Sequence, residues 1–338
     1  MRNRKTTAMH LSSFAVTDGY RRYVLILLLI VYIFNFIDRQ IVAILLPEIK
    51  AELGLSDSQL GLLTGFAFAL FYVTFGIPIA NLADRKRRVP IIAGAVAIWS
   101  GMTALCGLAQ NFVHLLIARI GVGVGEAGCT PPAHSLIADY FPPNRRAMAL
   151  AVYSMGTAVG GGLGLFFGGW MSDTVGWRMA FIFVGLPGLL LAVFVWLTIK
   201  EPPRGYADGV DRSTVKENIP LHDGIRILLK NPCFRHITIA TAYISLMGYG
   251  FANWIPSFFS RNFGAAATEI GAALGLVNVL GGGAGILLGG YLGDKLASRD
   301  PRRLVDIPFI IPIFGLPFLY LAFTASSLSA SILWFVIP

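Results

Sequence analysis

Charged residues are scarce in this chain of 338 residues. Asp, Glu, Lys and Arg together make up 13 % of it, whereas apolar types reach 55 %. Soluble domains carry about 25 % charged residues, because their surface must face water. The composition therefore excludes an ordinary soluble globule and places the chain in a lipid bilayer.

Cysteine and catalytic motifs are scarce as well. The three cysteines, Cys106, Cys129 and Cys233, form no CxxC pair, which excludes a disulfide framework. The sequence has no HExxH, no GxSxG and no clustered His–Asp pattern, so nothing in it predicts a membrane enzyme. We expect no catalytic residues, no metal ion and no cofactor.

Long apolar runs dominate what is present. Crossing about 30 Å of hydrocarbon takes about 20 helical residues. The runs predict an all-α polytopic membrane protein with nine complete spans and the start of a tenth near residue 328. The nine predicted spans are 23–46, 58–81, 90–109, 112–138, 147–171, 178–199, 235–259, 268–292 and 304–325.

The distribution of basic residues predicts the orientation of these spans. All but five of the 27 lysines and arginines fall in segments on one predicted side of the membrane. By the positive-inside rule that side is cytoplasmic and includes the N-terminus. The net charge of +9 therefore reflects membrane topology rather than nucleic-acid binding, and we expect a multi-pass protein of the inner (plasma) membrane.

A polar segment and an internal repeat divide the chain. We predict a cytoplasmic tail (1–22), a six-helix half (23–200), a cytoplasmic linker (201–233) and an incomplete second half (234–338). Residues 222–231 of the linker predict a short amphipathic helix on the membrane surface. The motif Ala-Asn-Leu-Ala-Asp-Arg after the second span is echoed by Gly-Tyr-Leu-Gly-Asp-Lys after the eighth, as in transporters built from two parallel repeats.

Four ionisable side chains besides histidine lie deep within the spans: Asp38 and Arg39 in the first, Arg119 and Glu126 in the fourth. A charge at the bilayer centre costs about 2.5 kcal/mol or more, so each must face a partner or a wet cavity. Arg119 and Glu126 lie about 10 Å apart on one helix face, too far for a direct pair. We expect Asp38 and Arg39 to be their partners.

These charges suggest a proton site. Burial favours the protonated form of a carboxyl, and a nearby arginine favours the ionised form. A conformational change that swaps the two environments moves a proton across the membrane. We therefore predict Asp38 and Glu126 as proton-coupling residues, with Arg39 and Arg119 as charge partners or contacts for a substrate anion. The alternative is a static ion network that only holds helices together.

Several motifs resemble those of the major facilitator superfamily. The run Asp84 to Arg88 resembles the signature between the second and third spans, and Asp294 belongs to its echo. Further matches lie in the fourth span, the loop after it and the fifth span: Arg119, Gly123, Asp139, Pro142, Arg145, Arg146, Gly156, Gly160, Gly161 and Gly162. The resemblance implies two pseudo-symmetric six-helix halves, here truncated at nine to ten helices.

Within that superfamily the chain is most similar to the Spinster-type group. The resemblance rests on Asn35-Phe36-Ile37-Asp38-Arg39, on Gly125-Glu126-Ala127 and on Ile137-Ala138-Asp139. It implies proton-dependent transport of a lysophospholipid or sphingoid lipid by a protein that is a monomer when complete. The alternatives are a carrier for an organic acid or drug, and a receptor or scaffold that transports nothing.

The resemblance also implies a cytoplasmic gate, for which the candidates are Asp84, Arg85, Asp139, Arg145, Arg146 and Asp294. The alternative for the arginines is that they only set topology. For the substrate cavity the polar and aromatic candidates are Asn35, Tyr243, Tyr249, Asn253 and Trp254. Aromatic residues near a span end also serve as interfacial anchors, which is the alternative there.

Overall fold

The computed structural model describes residue 14 and residues 16–209, 221–297 and 306–337, and it is helical with no strand among them. Six helices come before the linker: α1 (Asp18–Leu53), α2 (Asp57–Arg85), α3 (Arg88–Cys106), α4 (Phe112–Glu126), α5 (Thr130–Tyr140) and α6 (Pro143–Thr198). Six follow: α7 (Leu221–Lys230), α8 (Pro232–Phe263), α9 (Ala267–Val277), α10 (Gly283–Ala297), α11 (Asp306–Thr324) and α12 (Leu328–Phe335).

Short polar caps set the helix ends. The Thr17 hydroxyl accepts a hydrogen bond from the backbone N–H of Tyr20 at the start of α1. Gly54 ends that helix in the left-handed conformation, at φ 63°, which glycine adopts without strain. Ser56 and Gln59 then form a reciprocal capping box that begins α2. Both helices are therefore longer than the apolar runs that predicted them.

The fourth predicted span is broken into two helices. Helix α4 ends at Glu126, and α5 begins at Thr130 after a short turn. Pro131 and Pro132 occupy the first turn of α5, where their missing N–H groups cost nothing. The predicted span over 112–138 therefore corresponds to α4 and α5 together, Phe112–Tyr140, with a turn directly after Glu126.

Helix α6 is a hairpin of two arms. Its only non-helical residue is Gly176, at φ 78° and ψ 162°. Before this residue, Gly156 and Gly168 lie against successively later parts of α1. After it, the contacts run back along α1, because the Arg178 guanidinium pairs with Glu52 and the Thr198 hydroxyl bonds to Tyr23. The predicted fifth and sixth spans are thus the two arms, and Gly176 reverses the chain between them.

Small residues bring the helices close together. A Cβ on Gly160 would lie 2.8 Å from Cβ of Phe36, and one on Gly164 would lie 2.8 Å from the carbonyl oxygen of Ile37, both on α1. A Cβ on Gly275 of α9 would lie 2.8 Å from the carbonyl oxygen of Gly162. Glycine-mediated packing of this kind is typical of helices in membranes, where close contact replaces the hydrophobic effect.

Membrane-spanning character is distributed over the whole chain. Six helical stretches of the described residues are long and apolar enough to cross a membrane. They are α1, α2, α3, α4 with α5 (Phe112–Tyr140), the two-armed hairpin α6, and Ala267–Gly285, which runs from α9 into α10. The ends of the helices define two opposite faces of the molecule. The basic face is where α2 ends and α3 begins, near Arg88, and the opposite face is where α1 ends, near Lys50.

Among the described residues, helix α8 is buried only near its C-terminal end. Every residue from 231 to 250 is exposed, whereas Pro256, Ser257 and Phe259 are buried. The buried end lies at the opposite face, where Arg261 meets Asp57 of α2. The described helices therefore enclose a cleft that is open toward the basic face.

Candidate functional site

Two crossed ion pairs join α1 to α4 at the base of the cleft. An Arg119 guanidinium nitrogen lies 3.6 Å from a carboxylate oxygen of Asp38, and Nε of Arg39 donates to Glu126 at 2.5 Å. Asp38, Arg119 and Glu126 are each at most 2 % exposed. The expected pairing across the two helices is therefore present, and the four charges balance.

Polar and aromatic neighbours hold these charges in place. The Thr103 hydroxyl of α3 donates to Asp38 at 2.5 Å. The Arg39 guanidinium donates to the Tyr249 hydroxyl of α8 at 3.0 Å, which links the cluster to the second set of helices. Aromatic rings also surround that guanidinium, with centroids 5.0 to 5.3 Å from its central carbon: Phe36, Phe68 and Tyr72.

Several buried polar atoms of this cluster have no hydrogen-bond partner among the described residues. They include one carboxylate oxygen each of Asp38 and Glu126, Nε of Arg119 and both amide atoms of Asn35. Buried polar groups are normally satisfied, so exceptions in one place indicate a functional site. A proton, a water molecule or a polar group of a ligand would satisfy them.

The four predicted cavity residues on α8 have different surroundings. Tyr249 reaches Arg39, whereas Tyr243 is 68 % exposed on the free part of the helix. The Asn253 amide donates to the carbonyl oxygen of Tyr249 within α8. Trp254 instead lines an apolar groove of about 370 Å³ between α8 and α11, together with Phe251 and others.

A second network of ion pairs and hydrogen bonds lies at the basic face, where it joins α3, α5 and the segment that follows α6. Arg88 is 1 % exposed and pairs with Asp139 of α5 and with Glu201, at 2.8 Å for the latter. Glu201 also accepts from the backbone N–H of Val89 at 2.8 Å. The segment 199–209 after α6 is thereby fastened beneath the first six helices, and a backbone N–H of Gly205 donates to Asp139.

The predicted gate residues are only partly gathered in this network. Asp139 lies in it, and Arg146 pairs with Asp208 at 2.7 Å. Arg145 makes an exposed contact of 3.7 Å with Asp18. Asp84 and Arg85 are exposed, and the Asp294 side chain lies outside the described residues.

Arg88 and Glu201 are the residues that sequence reasoning missed. Arg88 belongs to the signature-like run Asp84 to Arg88 but is not among the predicted gate residues, yet its side chain is the hub of this network. A usable signal was the position of Glu201, an acidic residue between an apolar helix end and two prolines, where a carboxylate needs a partner.

At the opposite face, two contacts join α8 and α9 to the first helices. Asp57 accepts two hydrogen bonds from Arg261, at 2.6 and 3.0 Å, and one from Lys50 at 2.7 Å. Asp173 accepts from the backbone N–H of Thr268 at 2.7 Å, in the first turn of α9. These contacts close the cleft on that side.

A family model agrees with this arrangement. The model of the Major Facilitator Superfamily matches residues 28–337. The chain belongs to the major facilitator superfamily. A bacterial homologue of the human lysosomal transporter Spinster, solved in an inward-facing and unoccupied conformation, superposes with a TM-score of 0.81 at 38 % identity, covering 95 % of this chain and 72 % of that one. The major facilitator fold and the Spinster type predicted from the sequence are thereby confirmed.

Curated relatives in this superfamily carry several descriptions. An MFS-type efflux pump of Mycolicibacterium smegmatis is 35 % identical over 86 % of this chain and 66 % of its own length. Protein spinster homolog 1 of Xenopus laevis is 30 % identical over 93 % of this chain and 62 % of its own. A hexuronate transporter of Bacillus subtilis is 26 % identical over 83 % and 66 %. The chain thus spans less than two thirds of the length of these relatives.

Proposed function

We propose that this chain is the substrate-handling part of a proton-coupled carrier that moves a small amphiphilic or anionic molecule by alternating access. It would do so in the plasma membrane, with its N-terminus and basic face in the cytoplasm. The observation that carries the proposal is the pair of crossed ion pairs at the closed base of a cleft. Membership of a transporter superfamily supports it.

Proton coupling is proposed at Asp38 and Glu126. Each carboxylate has one oxygen bonded, to Thr103 or to Arg39, and one oxygen without a hydrogen-bond partner among the described residues. If the helices rearrange and the arginine moves away, the buried carboxylate is left uncompensated and takes up a proton. The same movement frees Arg39 or Arg119 for a substrate anion, with Asn35 and Tyr249 as polar contacts beside it.

The gate is proposed at the basic face. In the described conformation Arg88 binds Asp139 and Glu201, and all three belong to the first six helices or the segment that follows them. Closing the cleft on this side would bring the ends of α8 and α10 onto this surface. Asp84, Arg85, Arg145, Arg146 and Asp294 are then available to pair across the closed gate.

A lysophospholipid or sphingoid lipid is the substrate class that we favour, because α8 lines an apolar groove and also contacts the charged cluster through Tyr249. A carrier for an organic acid or drug is the second candidate. The similarity to a hexuronate transporter and to an efflux pump favours it, as do two arginines near the cleft. An enclosed polar cavity would fit the acid, and a cleft open to lipid would fit the amphiphile.

Proton uptake in proteoliposomes tests these proposals. The chain is reconstituted with a pH-sensitive dye inside, and a lysophospholipid, a sphingoid base and a hexuronate are added one at a time. A longer version that carries the remaining spans of a relative is assayed in parallel. Wild type is compared with Asp38→Asn and Glu126→Gln, and Glu269→Gln, an exposed acid in α9, serves as the matched control.

The possible results distinguish a coupled carrier from a static ion network and from a receptor or scaffold. Proton movement that depends on one substrate and disappears in Asp38→Asn or Glu126→Gln, but not in Glu269→Gln, supports the coupled carrier. Substrate movement that is unchanged in both cluster variants makes the ion pairs a static network. If no substrate and no proton moves in either protein, a receptor or scaffold becomes the better description.

A further inference from the structure

The ring of Phe68 contacts the arginine of each ion pair. Its centroid is 5.3 Å from the guanidinium carbon of Arg39 and 5.3 Å from that of Arg119. The residue is 9 % exposed, so these contacts are largely shielded from water. A cation over an aromatic face is stabilised by about 0.5 to 2 kcal/mol, with the larger values in desolvated sites.

Two features of the chain place the ring there. A π-helical turn at Leu62–Phe66 directly precedes Phe68, and such a turn inserts an extra residue that rotates the following side chains. On the facing helix, a Cβ added to Gly123 would lie 3.0 Å from the carbonyl oxygen of Phe68 and 3.3 Å from its ring. Gly123 lies between Arg119 and Glu126 in α4, so the ring packs against α4 at a position between these two charged residues.

Without the ring, the pairing of charges would be ambiguous. Asp38 and Arg39 are adjacent in α1, and two guanidiniums and two carboxylates share one desolvated region. Either arginine has conformers that bring it toward either acid, because its side chain is long. A rigid aromatic ring in contact with both guanidiniums attracts each of them and disfavours the mixed arrangements.

We propose that Phe68 is a positioning residue that keeps Arg39 on Glu126 and Arg119 on Asp38, so that the two carboxyls exchange protons as separate sites. The inference rests on the proposed function of these carboxyls. In this role Phe68 takes up no proton and contacts no substrate, and it acts only through the two arginines.

Other ionisable groups also face the cluster, and each bears on its protonation. They are Tyr32 on α1, Tyr72 on α2, Cys106 on α3, Cys129 after α4, and Tyr249 on α8. Among the aromatic rings that contact these arginines, only that of Phe68 contacts both of them in the described structure.

Fluorinated phenylalanine at position 68 tests the proposal without altering the shape of the side chain. One, two and three ring fluorines weaken the attraction for a cation stepwise. The readout is the infrared carboxyl band of each acid during a pH titration of the purified chain, assigned by its loss in Asp38→Asn and in Glu126→Gln. The same series at Phe71, which stacks on Phe75 and contacts neither arginine, is the control.

We expect both carboxyl bands to respond in graded fashion to fluorination of Phe68, with a change of about two- to fivefold in each protonation constant, and neither to respond at Phe71. Two bands that stay unchanged, or only one that moves, would overturn the role of Phe68 and leave the proton sites standing. If neither acid titrates in the wild type, the proton-site proposal fails, and the inference about Phe68 fails with it.

Discussion

Neighbouring residues on a helix point about 100° apart, and this angle allows the adjacent charges Asp38 and Arg39 to reach different partners. Arg119 and Glu126 lie two turns apart on α4, so the two pairs form at different depths. Each buried charge is thereby compensated by one opposite charge. The arrangement costs desolvation, so stability alone does not explain it.

Removing one charge of a buried pair should be more harmful than removing both. We predict that Arg39→Met lowers the free energy of unfolding by about 3 to 5 kcal/mol, since Glu126 is then buried without a partner. The double variant Arg39→Met, Glu126→Gln should regain most of this loss. Thermal unfolding of the purified chain in detergent measures both. A double variant as unstable as the single one would contradict the pairing.

A glycine at a close helix contact should tolerate no side chain. A Cβ on Gly185 would lie 2.6 Å from the backbone nitrogen of Ala104 and the carbonyl oxygen of Ser100, so Gly185→Ala must push α6 away from α3. We predict a fall of several degrees in melting temperature, reflecting about 1 to 3 kcal/mol of overpacking. The control is Gly94→Ala, an exposed glycine of α3 with nothing within 4 Å, for which no loss is expected.

At the scale of elements, the chain reverses at a single non-helical residue, Gly176, between the two arms of α6. The sequence predicted the break between the two arms of α6 because Ser172, Asp173 and Thr174 interrupt the apolar run before Gly176. It did not predict the break between α4 and α5. Two prolines there are compatible with both a kink and a new first turn, and periodicity cannot distinguish the two.

The reversal should depend on the conformation of Gly176 rather than on space around it. Its φ of 78° with ψ of 162° belongs to a region open almost only to glycine, and a Cβ there would meet nothing within 4 Å. We predict that Gly176→Ala costs about 1 to 3 kcal/mol of stability. Gly176→Asn should be no better, because asparagine tolerates only the left-handed helical region. Thermal unfolding distinguishes these expectations from a neutral effect.

Helix α7 should lie on the membrane surface. It is helical as predicted, and its exposed apolar side chains include Leu228 and Leu229, whereas Arg226 and Lys230 are basic. We predict that an NBD label on a cysteine at position 228 shows blue-shifted emission in lipid nanodiscs. The same label at His222, on the polar side, should emit as in water. Equal emission at both positions would argue against the surface location.

At the scale of the whole molecule, the described conformation is closed at one end and open at the other. The uneven distribution of basic residues and the repeated motif predicted the architecture, because both can be read directly from the sequence. The contacts that hold this conformation could not be predicted from the sequence. Asp57, Arg261 and Asp173 are ordinary loop charges by position, and only the folded chain brings them together across distant helices.

Loss of the opposite-face contacts should shift this conformation. Asp57→Asn removes the ion pairs with Arg261 and Lys50, so the closed end should open more often. Spin labels at Ser58 and Asn262, both exposed, should show a new population at longer distance in double electron–electron resonance. Asp18→Asn, which removes a comparable exposed pair with Arg21 at the basic face, is the control and should leave the distances unchanged.

The uneven burial of α8 has a mechanical consequence. Its exposed stretch of 231–250 is about 30 Å long, and it continues into the buried end near Pro256, with Tyr249 bonded to Arg39. Such a helix is a lever. A tilt of about 10° at the held end displaces the far end by about 5 Å, comparable to one helical turn. Tyr249 lies near the buried end of α8, so a small displacement of Tyr249 relative to Arg39 would correspond to a larger displacement of the far end of α8 at the mouth of the cleft.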